Sequence, residues 1–172
     1  MTSVSVNLDF VGREYPANAP YSVGREKIRE FAAATGSTHP AHHDVVTARG
    51  LGYPDVIAPA TFAVIVAQRA EAQYIEDPSA GIDFSRVVHA DERFTHLRPI
   101  AAGDELVTVL TVVSITQRSG LSMITTRCDI NALGASVPDD DETAAPTSSD
   151  DAAGLELVST VVSTLAVRGE RL

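Results

Sequence analysis

The spacing of hydrophobic positions separates a helix-forming first part of the chain from a strand-forming second part. Between residues 25 and 35 the apolar side chains recur at helical intervals, and Gly36 follows where a helix commonly ends. A shorter helix is predicted at 45–49, with Gly50 at its end. Before these helices, strict alternation predicts an edge strand formed by Val4, Val6, Leu8 and Phe10.

A further helix is predicted from near Pro59 to about Ile75, and four strands follow it. The first half of this helix, residues 60–67, carries no charge, which indicates burial on most sides. Runs rich in β-branched residues predict strands at about 86–94, 106–115, 121–130 and 155–167. Gly103-Asp104 and Ser119-Gly120 have turn chemistry suited to joining antiparallel neighbours. This order predicts an α+β fold in which an antiparallel sheet wraps a buried helix.

The composition fits one folded domain over residues 1–172, with a disordered acidic insertion at about 134–154. Neither a signal peptide nor a bilayer-spanning apolar run is apparent, so we expect a soluble, cytoplasmic protein without membrane partners. The net charge of −10 argues against a nucleic-acid partner. Most of that charge comes from six acidic residues of the insertion, so it identifies no ligand: Asp139, Asp140, Asp141, Glu142, Asp150 and Asp151.

The segment between the first helix and the long apolar helix carries the strongest functional signal. It contains, in order, Thr35-Gly36-Ser37, His39-Pro40-Ala41-His42, a Gly52-containing stretch and Ala58-Pro59-Ala60. This order resembles the signature of the MaoC-like (R)-specific enoyl hydratases and dehydratases, which have the hot-dog fold. In the resemblance Gly36 matches the signature glycine, Pro40 its proline and His42 its catalytic histidine.

The resemblance implies a reaction that adds water to, or removes it from, an α,β-unsaturated acyl thioester. Such a reaction needs a group that moves the α-proton, a group that holds the β-oxygen, and donors for the enolate-like oxygen. By this likeness His42 is the proton carrier, and Gly36, Pro40, Ala58, Ala60 and Thr61 line the substrate site. Backbone amides at the start of the long helix would face the thioester carbonyl. Neither a metal nor an organic cofactor is implied, because coenzyme A or phosphopantetheine enters only as part of the substrate.

The chain departs from the signature at two positions. Ser37 stands where the family has its aspartate, and His39 stands where it has asparagine. A serine hydroxyl binds water but does not act as its base at neutral pH, so the catalytic pair is incomplete. Asp44 is the nearest carboxylate that offers a substitute. Two interpretations stay open: a subunit that lines the substrate beside a partner with a complete pair, and a homodimer in which His42 works with His39 or Ser37.

A second stretch, residues 83–104, is similar to short bacterial homologues with one hot dog per chain, including the non-catalytic-type subunits of mycolic-acid dehydratases. The leading prediction is therefore a (3R)-hydroxyacyl-thioester dehydratase or hydratase component that acts on acyl carrier protein or coenzyme A esters in fatty-acid metabolism. A homodimer or a heterodimer with a catalytic hot-dog subunit is expected, because a hot-dog sheet exposes an edge. The alternative from another class is a non-catalytic module that binds acyl chains or stabilises an active partner.

Other candidate groups receive plainer interpretations. A hot-dog thioesterase would need a carboxylate on or just before the buried helix, where Asp55 is the candidate. A metal site at 39–44 is disfavoured because Pro40 interrupts the spacing. His96 with Arg98 offers a contact for substrate phosphates, although a surface pair is favoured. The remaining groups are assigned to the surface or the core: His89, Asp91, Glu92, Arg93, Cys128, Ser163 and Thr164.

Overall fold

The computed structural model describes residues 6–134 and 154–169. The α-helices are α1 (Arg25–Ala34), α2 (Val45–Gly50) and α3 (Ala63–Ile75). The strands are β1 (Glu14–Tyr15), β2 (Tyr21–Ser22), β3 (Val87–His96), β4 (Glu105–Arg118), β5 (Leu121–Leu133) and β6 (Leu155–Arg168). The single-domain assignment stays a prediction, and the predicted acidic insertion, from 135 to 153, lies outside the described residues.

One antiparallel sheet packs against the buried helix. Its strand order is β1-β4-β5-β6-β3, and β2 also pairs with β4. Helix α3 packs on β4, β5 and β6, with Phe62 and Tyr74 fully buried at its two ends. The strands supply the opposing core side chains, among them Leu110, Ile124, Cys128, Val161 and Leu165. This arrangement confirms the predicted α+β hot-dog architecture.

The predicted helices and the four long strands are confirmed, with most ends shifted by a few residues. The long helix begins with a 3₁₀ turn at Ala60–Phe62, directly after Pro59. The β4–β5 hairpin turns at Ser119 and Gly120, whose φ angles are 50° and 75°. Two adjacent residues with positive φ are what a tight hairpin turn requires. The predicted turn at Ser119-Gly120 between antiparallel neighbours is therefore confirmed.

The predicted N-terminal edge strand is wrong over the described residues, and its first member, Val4, lies outside them. Residues Leu8–Phe10 form a 3₁₀ turn, because the side chain of Asn7 accepts a hydrogen bond from the amide of Asp9 and starts a helical turn. Phe10 is nevertheless buried. The alternation therefore reflected two core residues, Val6 and Phe10, and not a pleated strand.

The Gly103-Asp104 turn does not join paired strands. It lies between β3 and β4, and β3 pairs with β6 while β4 pairs with β5. The connecting chain instead bonds to the segment that leads into the long helix: Ala102 donates to the carbonyl of Val56 at 3.0 Å, and Ala58 donates to the carbonyl of Ile100 at 2.7 Å. This pairing fixes the approach to α3.

Two sequence assignments concern the core and the membrane. Cys128 is fully buried, as predicted for a small core side chain, and burial raises the pKa of its thiol. Among the described residues, no helix is both long and apolar enough to cross a membrane.

Candidate functional site

The turn at Gly36 ends α1 and begins the loop that carries the signature residues. Gly36 has a φ of 68°, and its amide donates to the carbonyl of Ala33 at 3.3 Å. The next amide, of Ser37, donates to the carbonyl of Ala32 at 2.8 Å. These paired bonds form a Schellman motif, which requires the left-handed conformation that glycine adopts easily. The glycine of the signature therefore ends α1 and turns the chain into the loop.

Ser37 and His39 lie in the loop and form no hydrogen bond with His42 in the described part of the chain. The hydroxyl of Ser37 lies 3.1 Å from the hydroxyl of Thr35, and the carbonyl of Ser37 accepts from Nε2 of His43 at 2.9 Å. Nδ1 of His39 accepts from the amide of Ala41 at 3.2 Å, which caps the 3₁₀ turn Pro40–His42. The rings of His39 and His42 lie 5.8 Å apart between centroids.

His42 is half-buried and is held against the segment that enters the long helix. Its Nδ1 lies 2.8 Å from the carbonyl oxygen of Ile57, and the amide of Ile57 donates to the carbonyl of Ala41 at 3.1 Å. Because a carbonyl only accepts, Nδ1 must carry the hydrogen, which leaves a lone pair on Nε2 of the neutral ring. No group of the described residues hydrogen-bonds to Nε2. The imidazole is therefore arranged to accept a proton.

The start of the long helix offers two free backbone donors. The amide of Phe62 donates to the carbonyl of Pro59 at 2.9 Å, whereas the exposed Ala60 and Thr61 have amides with no acceptor in the described part of the chain. Free amides at a helix start favour a negatively charged or partly negative oxygen. Ala58 is buried and precedes them. His42 is hydrogen-bonded to Ile57, which precedes Ala60 by three positions in the chain.

His96 contacts this helix start, which the sequence did not indicate. Its Nε2 donates to the carbonyl of Ala60 at 2.8 Å, and its Nδ1 lies 3.0 Å from the hydroxyl of the fully buried Ser159. Arg98 instead makes a two-bond contact with Asp104 and a further contact with Glu156. Both groups of the predicted phosphate contact are thus engaged within the chain.

Asp44 does not replace the missing aspartate. It is the N-cap of α2, and its Oδ2 accepts from the amide and the hydroxyl of Thr47 at 2.7 and 2.6 Å. These bonds hold the pKa of its carboxyl below the usual value. Helix capping is the local role that aspartate favours in this position, and it engages the carboxylate within α2.

Asp55 is likewise engaged and does not serve as the carboxylate of a thioesterase site. Arg25 donates to both of its oxygens, at 2.8 and 2.7 Å, and Arg49 lies 3.6 Å away. The hydrogen bond from Arg25 is the main reason that the pKa of Asp55 lies below its ordinary value. Sequence reasoning also missed Glu71, a carboxylate on the long helix that is 1% exposed and accepts from the hydroxyl of Thr126 at 2.8 Å. The carboxylates of Asp55 and Glu71 are therefore both engaged by other side chains.

The remaining candidates belong to the scaffold. The described residues contain no cluster of three or more side chains able to hold a metal ion. His89 lies 3.6 Å from Glu71, and the buried Ser163 donates to Glu92 at 3.4 Å. Burial raises the pKa of Glu92.

The chain is similar to known proteins over most of its length. A family model described as "FAS1-like, dehydratase domain region" matches residues 9–138. A UPF0336 protein of Clavibacter michiganensis subsp. michiganensis is 45% identical over 165 residues, which are 96% of this chain and 97% of that protein. A UPF0336 protein of Saccharopolyspora erythraea is 51% identical over 124 residues, 72% of this chain and 80% of its own length.

Solved structures of dehydratases and hydratases are also similar to this chain. A chain of the C-terminally truncated HadBC (3R-hydroxyacyl-ACP dehydratase) complex from Mycobacterium tuberculosis is 30% identical, with a TM-score of 0.72 over 92% of this chain and 97% of that chain. The (R)-hydratase from A. caviae has a TM-score of 0.60 at 15% identity and covers 90% of this chain and 94% of its own. The second likeness shows the fold alone.

Proposed function

From the premise that the chain belongs to the family of FAS1-like dehydratase domain regions, we propose that it is the substrate-binding subunit of a (3R)-hydroxyacyl-thioester dehydratase or hydratase. One observation carries this proposal. His42 is held by Ile57, just ahead of the helix start, and presents a free Nε2, but Ser37 replaces the carboxylate and both nearby aspartates are engaged elsewhere. The site therefore has part of the catalytic set and lacks the rest.

The chemistry explains what such a site contributes. In dehydration, the α-carbon loses a proton, a C=C bond forms, and the β-hydroxyl leaves and takes up a proton to become water. The amides of Ala60 and Thr61 would bind the thioester oxygen as negative charge develops on it. His42 Nε2 would accept or return a proton. The group that holds the β-oxygen would come from the partner subunit.

The outer edge of β3 supports a partner of the same fold. Strand β3 has ten residues and pairs only with β6 within the described part of the chain. Phe84 and Val88 beside this edge are 71% and 62% exposed. An unpaired strand edge with exposed apolar side chains is a template for pairing with another sheet. The similar HadBC structure is itself that of a complex.

The test compares the purified chain with the chain co-expressed with a neighbouring-gene hot-dog protein that carries a complete Asp/His pair. We expect slow hydration of a trans-2-enoyl thioester by the chain alone and a rate higher by about 10²–10⁴ in the complex, the usual contribution of a positioned acid–base pair. A partner whose own Asp/His pair is mutated provides the control and should return the rate to that of the single chain. Equal rates for the chain alone and for the complex would contradict the proposal.

A further inference from the structure

A partly buried ion pair connects α1 to the segment that holds His42. Arg25 is the first residue of α1, and Asp55 lies 30 positions later, just before the long helix. The guanidinium donates from Nε to Oδ1 at 2.8 Å and from Nη2 to Oδ2 at 2.7 Å. Asp55 is only 8% exposed. Such a two-bond contact fixes orientation as well as distance, because the planar guanidinium matches the planar carboxylate.

The backbone segment from Asp55 to Ile57 is held by hydrogen bonds along its length, and it ends at the carbonyl that contacts the imidazole of His42. Oδ1 of Asp55 also accepts from the amide of Val56 at 2.9 Å. The carbonyl of Val56, whose side chain is fully buried, accepts from the amide of Ala102 at 3.0 Å. The next residue, Ile57, donates through its amide to Ala41 and accepts through its carbonyl from Nδ1 of His42 at 2.8 Å. Each residue from 55 to 57 is therefore fixed by at least one hydrogen bond.

We propose that the Arg25–Asp55 pair is a positioning device for His42, which holds the Ile57 carbonyl where it selects the Nδ1–H tautomer. The lone pair on Nε2 is then available for the reaction. This inference rests on the proposed function and deepens it, since it assigns Asp55 to the orientation of the proton carrier. Asp55 and Arg25 act through the backbone and do not touch the substrate.

The obvious alternative is that the pair only stabilises the fold. The two roles differ in one observable, the tautomer of the His42 ring. If the pair only adds stability, its removal lowers the free energy of unfolding and leaves the ring of the folded protein unchanged. If it positions Ile57, its removal weakens the Nδ1–H···O bond and admits the other tautomer.

The test uses the full chain labelled with ¹⁵N-histidine and long-range ¹H–¹⁵N correlation spectra, which report the tautomer of each ring. For wild type we expect the Nδ1–H form at His42. In Asp55→Asn and Arg25→Gln we expect the ratio of the two tautomers to change about tenfold, the equivalent of one ordinary hydrogen bond. Arg25→Lys, which keeps the charge but loses the two-bond geometry, should give a smaller change.

A matched control removes a comparable aspartate at the other end of the long helix. Asp77 accepts from the hydroxyl of Tyr15 at 3.1 Å and lies 3.7 Å from Arg13. Asp77→Asn should leave the His42 tautomer unchanged. Arg25 is half-exposed, so Arg25→Gln tests the inference even if Asp55→Asn does not fold.

Folded Arg25→Gln protein with a wild-type His42 tautomer would overturn the inference. The measurement needs no turnover, so it separates the two proposals. Suppose that the wild-type protein has the expected tautomer and the variants do not, but that the wild-type protein neither binds enoyl thioesters nor activates a partner. The proposed function is then wrong and the positioning role stands. If wild type binds thioesters and the variants keep the tautomer, the reverse holds.

Discussion

Ser37 is the residue at which this site differs most from a complete hydratase. Its hydroxyl bonds to Thr35, and its backbone is held by the Gly36 turn and by His43. We predict that Ser37→Asp raises enoyl-thioester hydration by the chain alone by about 10²-fold or more, because it supplies the carboxylate that the signature loop lacks. The assay is the absorbance loss of a trans-2-enoyl thioester. Ser37→Asn, equal in size but unable to take a proton, should give no gain, and a null result for both variants would favour a purely binding site.

Gly36 is needed for its backbone conformation and not for space. A Cβ added there would meet nothing within 4 Å, but the φ of 68° is costly for any other residue. We predict that Gly36→Ala lowers the free energy of unfolding by about 1–2 kcal/mol in urea denaturation. Gly50 is the control, because it lies within α2 and also has open space around its Cβ position. Gly50→Ala should leave stability unchanged or raise it by up to about 1 kcal/mol, and equal losses at both sites would contradict this explanation.

At the residue scale, the sequence predicted the position of the signature better than its contacts. Gly36 ends α1 as local chain geometry requires, whereas the contact of His42 with Ile57 joins residues 15 positions apart and depends on how the loop folds back. The bonds of Asp44 and Asp55 were missed for different reasons. The cap of Asp44 is local and has a known sequence preference, so it could have been predicted. The contact between Arg25 and Asp55 depends on how the loop folds back, which no spacing rule encodes.

At the scale of elements, β3 and the start of the long helix meet through His96. The peptide unit between Ala60 and Thr61 is planar, and its C=O and N–H groups point in opposite directions. By donating to the carbonyl of Ala60, His96 fixes the direction of the Thr61 amide. The ring also stacks on Phe94, at 6.2 Å between centroids.

We predict that His96→Phe weakens binding of a saturated acyl thioester about two- to tenfold, because the ring remains while the donor to Ala60 is lost. Calorimetry should show no such change for the thioether analogue, which lacks the carbonyl. His89→Phe is the control on the same strand, since His89 faces Glu71 instead. A loss of affinity that is equal for thioester and thioether would assign His96 to general packing.

Element types followed from periodicity, but the pairing of elements did not. Strands β3 and β4 are neighbours in sequence and yet lie apart in the sheet, since β6 returns between β5 and β3. A turn motif such as Gly103-Asp104 predicts that the chain reverses direction locally, but it does not predict which strands pair with each other. The resemblance to a hot-dog family supplied the topology that the hydrophobic pattern left open.

At the scale of the whole molecule, the N-terminal segment closes the far end of the buried helix. The aromatic rings of Phe10 and Tyr15 pack on Tyr74, at 5.7 and 5.9 Å between centroids. The carboxylate of Asp77 accepts from the hydroxyl of Tyr15, and Arg13 lies near both. Stability at this end is therefore coupled to the protonation of two tyrosines, away from the candidate site.

Tyr74 makes this coupling measurable. Its hydroxyl is buried without a hydrogen-bond partner in the described structure, and burial, with smaller effects of Tyr15 and Asp77, raises its pKa from 10.0 to about 12. A folded pKa above the unfolded value means that the stabilisation is complete below pH 10 and is lost as the pH rises toward 12. At pH 11 the unfolded phenol is mostly ionised and the folded one is mostly neutral, which costs about 1 kcal/mol relative to pH 7.

Tyr74→Phe should therefore raise the free energy of unfolding at pH 7, by about 1 kcal/mol, because it removes an unpaired buried hydroxyl. At pH 11 the gain over wild type should be larger by about another 1 kcal/mol, because phenylalanine does not ionise. Urea denaturation at the two pH values measures both differences. Tyr15→Phe is the matched control: its pKa is also raised to about 12, but its hydroxyl donates to Asp77, so the variant should lose stability at pH 7 and recover part of it at pH 11. A gain for Tyr74→Phe that is the same at both pH values would mean that Tyr74 ionises as readily in the folded protein as in the unfolded chain.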